Sequence, residues 1–108
     1  MTDAELIGIA AGIRCATLAR YPPRGMCFMV ANPLAGLLRF YGMETRLVEG
    51  NIEIQGHTVN HFWIALPDGR VLDPTADQFN GAGLGDWPRI YLGAPKEIHA
   101  SCPKKADT

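Results

Sequence analysis

The stretch Thr58-Val59-Asn60-His61-Phe62-Trp63-Ile64-Ala65-Leu66, with Pro67-Asp68-Gly69 and Arg70-Val71-Leu72-Asp73 after it, decides how this chain folds. Nine mostly apolar, β-branched or aromatic residues read as a strand, and Pro-Asp-Gly as the tip of a hairpin. Leu66 to Arg70 suits a three-residue loop, a type I turn closed by a left-handed glycine. Leu66 then pairs with Arg70, so partners sum to 136. Under that sum Trp63 faces Asp73, and His61 is its diagonal neighbour, about 7–8 Å away at the backbone and within side-chain reach. A two-residue loop would put His61 and Asp73 on opposite faces. Val59, His61, Trp63 and Ala65 share one face, and Asn60, Phe62, Ile64 and Leu66 the other. Both are substantially apolar, so this strand is expected at the centre of its sheet.

Upstream the spacing is helical. Thr2 with Glu5 makes a capping box, and Leu6, Ile9, Ala10, Ile13, Ala16 and Thr17 predict a helix over about 3–20. Tyr21-Pro22-Pro23-Arg24-Gly25 stops it as a loop. A second helical region runs from Cys27 to Tyr41, with Gly42 as its stop. Pro33 inside it favours a short turn from Cys27 and a main helix restarting at Pro33, with Asn32 as cap. Thr45–Ile54 reads as one long or bulged strand, with Gly50 as the irregularity. Gln55-Gly56 is a turn, Arg70–Asp73 a third strand, Asn80–Gly85 a flexible loop and Arg89–Leu92 a last strand. The tail from about Ser101 is expected to be disordered. Helices followed by a small antiparallel sheet make an α+β domain.

At 108 residues the chain is one domain of ordinary size, 47% apolar and 19% charged. Its net charge of −1 is scattered, which excludes a basic nucleic-acid surface or a polybasic membrane anchor. The start, Met1-Thr2-Asp3-Ala4-Glu5, lacks a basic region, so no secretory signal is expected, and no apolar run reaches membrane-spanning length. Three cysteines without metal-ligand spacing read as reduced thiols of a cytoplasmic protein.

Cys27, His61 and Asp73 each sit where cysteine-nucleophile chemistry would want them. A cysteine at a helix start beside an imidazole is favoured as thiolate, and a carboxylate behind that imidazole fixes its tautomer. Asp73 has a second reading, because Asp-Pro-Thr caps a turn through its side chain. Asp77 is a weaker carboxylate candidate. Trp63 flanks the proposed site, as a substrate contact or as a core aromatic. Cys15 reads as a core thiol, His57 and His99 as surface residues, and Cys102 suggests no role. The glycines from Gly81 to Gly85 lack the Lys-Ser/Thr ending of a phosphate loop.

The pattern Gly25-Met26-Cys27, His61-Phe62-Trp63-Ile64 and Gly69-Arg70-Val71-Leu72-Asp73-Pro74-Thr75 resembles the core of the transglutaminase-like, papain-like cysteine superfamily, in particular its small stand-alone bacterial and phage members. The resemblance covers roughly residues 25–79. It implies a single transglutaminase-like domain over 1–100 with N-terminal helices on the sheet, and a tail over 101–108. It also implies a cysteine hydrolase or acyltransferase: Cys27 as nucleophile, His61 as general base and acid, Asp73 as orienting carboxylate. The reaction would be acyl transfer on an amide or thioester through a thioester acyl-enzyme. The implied substrate is a protein or peptide, or a small amide or thioester. Lacking a ligand cluster in its spacing, the chain is expected to need no metal and no cofactor, and its charge and apolar runs suggest no nucleic-acid or membrane partner. The other reading is a non-catalytic binding or inhibitory module that keeps the papain-like fold. A helix carrying Cys27 on the His61 face would bring thiol and imidazole together.

Overall fold

The computed structural model describes residues 1–20 and 26–100. The loop expected at Tyr21–Gly25 and the tail from Ser101, Cys102 included, lie outside the described residues. Helix α1 spans Asp3–Leu18 and opens with the capping box: Thr2 and Glu5 each bond the other's backbone N–H. Helix α2 runs unbroken over Cys27–Phe40 with Pro33 inside it. The predicted restart at Pro33 is therefore wrong. Pro33 gives up one backbone hydrogen bond on an exposed face, while Val30, Ala31, Leu34, Ala35 and Leu38 are buried either side of it. The helix ends in a Schellman motif: Gly42, at φ 91°, donates to Arg39 and Met43 donates back to Leu38.

Four antiparallel strands follow in sequential order. Strand β1 (Arg46–Ile54) and β2 (His57–Ala65) pair over nine positions without a slip. Gln55 and Gly56, both at positive φ, make the two-residue turn between them. Of the two readings the long strand is the one found: Gly50 forms no bulge and pairs squarely with His61. Its lack of a side chain serves packing instead. A Cβ there would lie 2.4 Å from the Ala100 carbonyl oxygen and 2.7 Å from the Trp63 ring. Strand β3 (Val71–Asp73) pairs with β2 as Ile64 to Leu72 and Ala65 to Val71, the register summing to 136. The turn is the expected one: Gly69 sits at φ 91°, and Leu66 N–H donates to the Arg70 carbonyl. A 3-10 turn over Ala76–Phe79, a short β4 (Tyr91–Gly93) and a second 3-10 turn over Glu97–His99 complete the order. The Asn80–Gly85 segment is tied back by Asn80, whose side chain both donates to and accepts from the Trp87 backbone.

The sheet has two buried faces with different contents. Ile64, Leu66 and Leu72 pack with Leu6, Ala10, Leu34, Ala35 and Leu38, so both helices lie on this face. The opposite face carries His61, Trp63 and Asp73, above a second cluster of Ile52, Ala76, Phe79 and Ile98. Helix α2 thus packs against the face away from His61, contrary to expectation. The even positions of β2 offer an aliphatic surface to an aliphatic helix stripe. The odd positions carry polar groups that such a stripe would leave without hydrogen bonds. Two helices on a four-stranded antiparallel sheet confirm an α+β fold; a specifically papain-like core is not established.

Candidate metal centre

Strand alternation turns His61 and Asp73 onto the face away from the helices, and the 136 register makes them diagonal neighbours. Their side chains meet, His61 Nε2 lying 2.6 Å from Asp73 Oδ2. A second imidazole arrives from the end of the described chain. His99, on the Glu97–His99 turn, places its Nε2 2.7 Å from the same oxygen. All three side chains are 0% exposed. The three donor atoms, one per residue, lie within 4.8 Å of one another, a separation at which they could hold a metal ion.

The protons of this cluster follow from its neighbours. The Lys96 backbone N–H donates to His99 Nδ1, so the remaining proton of that ring sits on Nε2 and points at Asp73. Asp73 Oδ1 accepts the Thr75 N–H at 3.1 Å. The carboxylate therefore carries out both roles read from its sequence: one oxygen caps the turn into Pro74-Thr75, and the other takes the rings. Burial pushes the Asp73 carboxyl up, but the hydrogen bonds from His61 and His99 outweigh it and hold the group below the usual carboxylate range. For His61 burial acts downward, yet Asp73 and then Cys27 raise its pKa to about 9.

Rings close over the cluster. The edge of Phe79 meets His61 at a centroid distance of 4.8 Å. Tyr91 stacks on His99 at 5.6 Å, and Trp63 meets it edge-on at 5.2 Å. Trp63 is 2% exposed, so it is a wall of this interior. The Gln78 amide, which the sequence reading passed over, lies 3.2 Å from His61 Nδ1.

The other candidates fall elsewhere. Cys27 begins α2 and is buried; its thiol lies 3.8 Å from the Asn60 carbonyl. Burial pushes that thiol up, but hydrogen bonding to His61 and the Phe62 amide brings it below its ordinary value. Cys27 thus adjoins His61 without entering the group that converges on Asp73. Asp77 is bound by Arg14, with both carboxylate oxygens within 2.9 Å of the guanidinium. Cys15, expected in the core, is exposed.

These positions correct the sequence reading. The carboxylate expected to orient one imidazole for a thiol is shared by two imidazoles. The buried unit is His61–Asp73–His99, a donor set of metal-ligand type, and not the Cys27–His61–Asp73 triad of a papain- or transglutaminase-type enzyme. The hydrolase, thiol-protease and acyltransferase readings rested on that triad, as did the thioester intermediate, and they go with it. The expectation that the chain lacks a metal-ligand cluster also fails, because His99 had been read as a surface residue. A lone histidine after Pro95-Lys96-Glu97-Ile98 carries no spacing signal. The one hint was that Gly50 interrupts a strand at the point where another backbone lies against it.

Among the described residues, no helix is long and apolar enough to cross a membrane. Comparison with protein-family models, curated proteins and solved structures finds no match to this chain.

Proposed function

We propose that this domain is a non-catalytic binding module that holds a divalent transition-metal ion of the zinc class through His61, Asp73 and His99. The observation that carries this reading is the sharing of one buried carboxylate oxygen between two imidazole nitrogens, at 2.6 and 2.7 Å. Two imidazoles with one carboxylate suit zinc, cobalt or nickel, whereas magnesium and calcium prefer all-oxygen shells. Three protein donors leave the fourth tetrahedral position to water or another ligand, and the full burial of all three side chains keeps that position away from bulk solvent, which favours holding an ion over turning over a substrate.

Holding an ion would rearrange the cluster. Bonds of about 2.0–2.1 Å would set tetrahedral ligands roughly 3.3 Å apart, so the nitrogen–oxygen separations of 2.6 and 2.7 Å would lengthen, while donors now spread over as much as 4.8 Å would draw to that common distance. Each imidazole would bind as a neutral ring through Nε2, with its proton on Nδ1, and for His99 this would displace the Lys96 amide that donates there.

The test is a Co2+ titration of the full chain, followed by visible absorption and by competition with Zn2+. One equivalent should bind, and H99A should weaken binding at least tenfold. Absence of stoichiometric uptake by the folded protein, or equal affinity in H99A, overturns the reading.

A further inference from the structure

We propose that the Glu97–His99 turn is a clasp, lifting to admit the ion and closing to complete its donor set. The inference rests on the reading of the cluster as a metal site and adds its route of entry and its control. Two of the three donors belong to the sheet, on β2 and β3, and stay together whether or not the turn is docked. The third belongs to a three-residue 3-10 turn whose backbone bond closes on itself, His99 N–H to the Lys96 carbonyl. Among the described residues, no strand ladder fastens that turn to the sheet.

The turn is held down by side chains. Ile98, 1% exposed, enters the cluster of Ile52, Ala76 and Phe79, and His99 reaches Asp73 between Trp63 and Tyr91. Gly50 provides the clearance for the Ala100 carbonyl to lie against β1. With every donor side chain sealed from solvent, an ion reaches the site only when something above it moves. Among the covering elements the turn is short and carries a donor itself, and the described side chains that it buries are Ile98 and His99. Short elements fastened by few buried groups open at low free energy. An ion bridging sheet and turn favours the docked state, and by linkage a better-docked turn binds the ion more tightly.

The full chain is compared with Ile98→Ala, which keeps all three donors and removes only the turn's apolar anchor. Amide exchange is followed with and without saturating Zn2+, and uptake is monitored independently with Co2+. Zn2+ should slow exchange of the 97–100 amides tenfold or more, with a smaller change in α1 and α2. In the wild type the rate of loading should level off with rising Zn2+, since opening limits it. I98A should bind about tenfold more weakly and load faster. Co2+ uptake without added protection at 97–100 sinks the clasp and leaves the metal site standing. Absence of Co2+ uptake sinks both. Should I98A fail to fold, wild-type exchange decides alone.

Discussion

At the scale of single residues, Asp73 and Gly50 are the least replaceable positions on the cluster side of the sheet. Asp73 accepts three hydrogen bonds, from two imidazoles and the Thr75 amide. Asp73→Ala leaves all three donors buried without an acceptor, and should cost about 3 kcal/mol or more in urea denaturation. The pH dependence has a fixed sign. The folded carboxyl titrates below its unfolded value of ~3.9, so its contribution is complete above that pH and is lost as pH falls through the folded value. The stability gap between wild type and Asp73→Asn should therefore narrow on acidification below pH ~4; a constant gap would deny the shift. Gly50→Ala should destabilise by about 1–3 kcal/mol, because its methyl group meets the Ala100 carbonyl and the Trp63 ring. An unchanged urea midpoint would show that this contact is loose. His61 and Asp73 were legible in the sequence because a turn type fixes a register, and a register fixes which side chains meet. His99 was not legible, because its partners lie 38 and 26 positions earlier and no local period connects them.

Among the elements, α1 is fastened to the loops at both ends, by Asp3, which accepts two bonds from Arg70, and by Arg14. Arg14 donates to both oxygens of Asp77 and to the carbonyls of Pro74 and Arg89, joining helix, turn and β4 approach. Both partners of the ion pair are largely covered. Arg14→Lys cannot reproduce this planar set and should lose about 1–2 kcal/mol by thermal or urea unfolding. Pro33→Ala should act in the opposite direction. It supplies the missing amide at an exposed helical position and should stabilise by about 1 kcal/mol or more. A fall in melting temperature would mean that the proline stabilises α2. Capping signals and hairpin chemistry made α1, β2 and β3 readable almost to the residue. The continuity of α2 was hidden because local propensity argues for a break at Pro33, whereas burial either side of it holds one helix together. The helix-bearing face of the sheet was equally hidden. Both faces of β2 are apolar enough to be covered, and the choice depends on which one carries groups needing polar partners.

Across the whole molecule, a sheet divides two interiors of different character. One is aliphatic and closed by helices. The other is aromatic, encloses a buried polar cluster, and is covered by loops and short turns. The α+β architecture follows from the order of helix-like and strand-like segments. The chemistry of the second interior does not, because it is assembled by chain crossings that leave no periodic trace. The same division makes the β1–β2 ribbon uneven in support. Among the described residues, β3 joins β2 only at Ile64 and Ala65, and the pairs from Ile52 and Val59 outward to Ile54 and His57 have no third strand beside them. Mechanically this is a cantilever, anchored at its root and free at Gln55-Gly56. Its tip is exposed, and nine paired positions hold its alignment independently of the tip's composition. A fluorophore or short epitope inserted there would stand at the exposed end of the ribbon, just beyond Ile52, Ile54 and Val59, which keep the ribbon packed on the second interior.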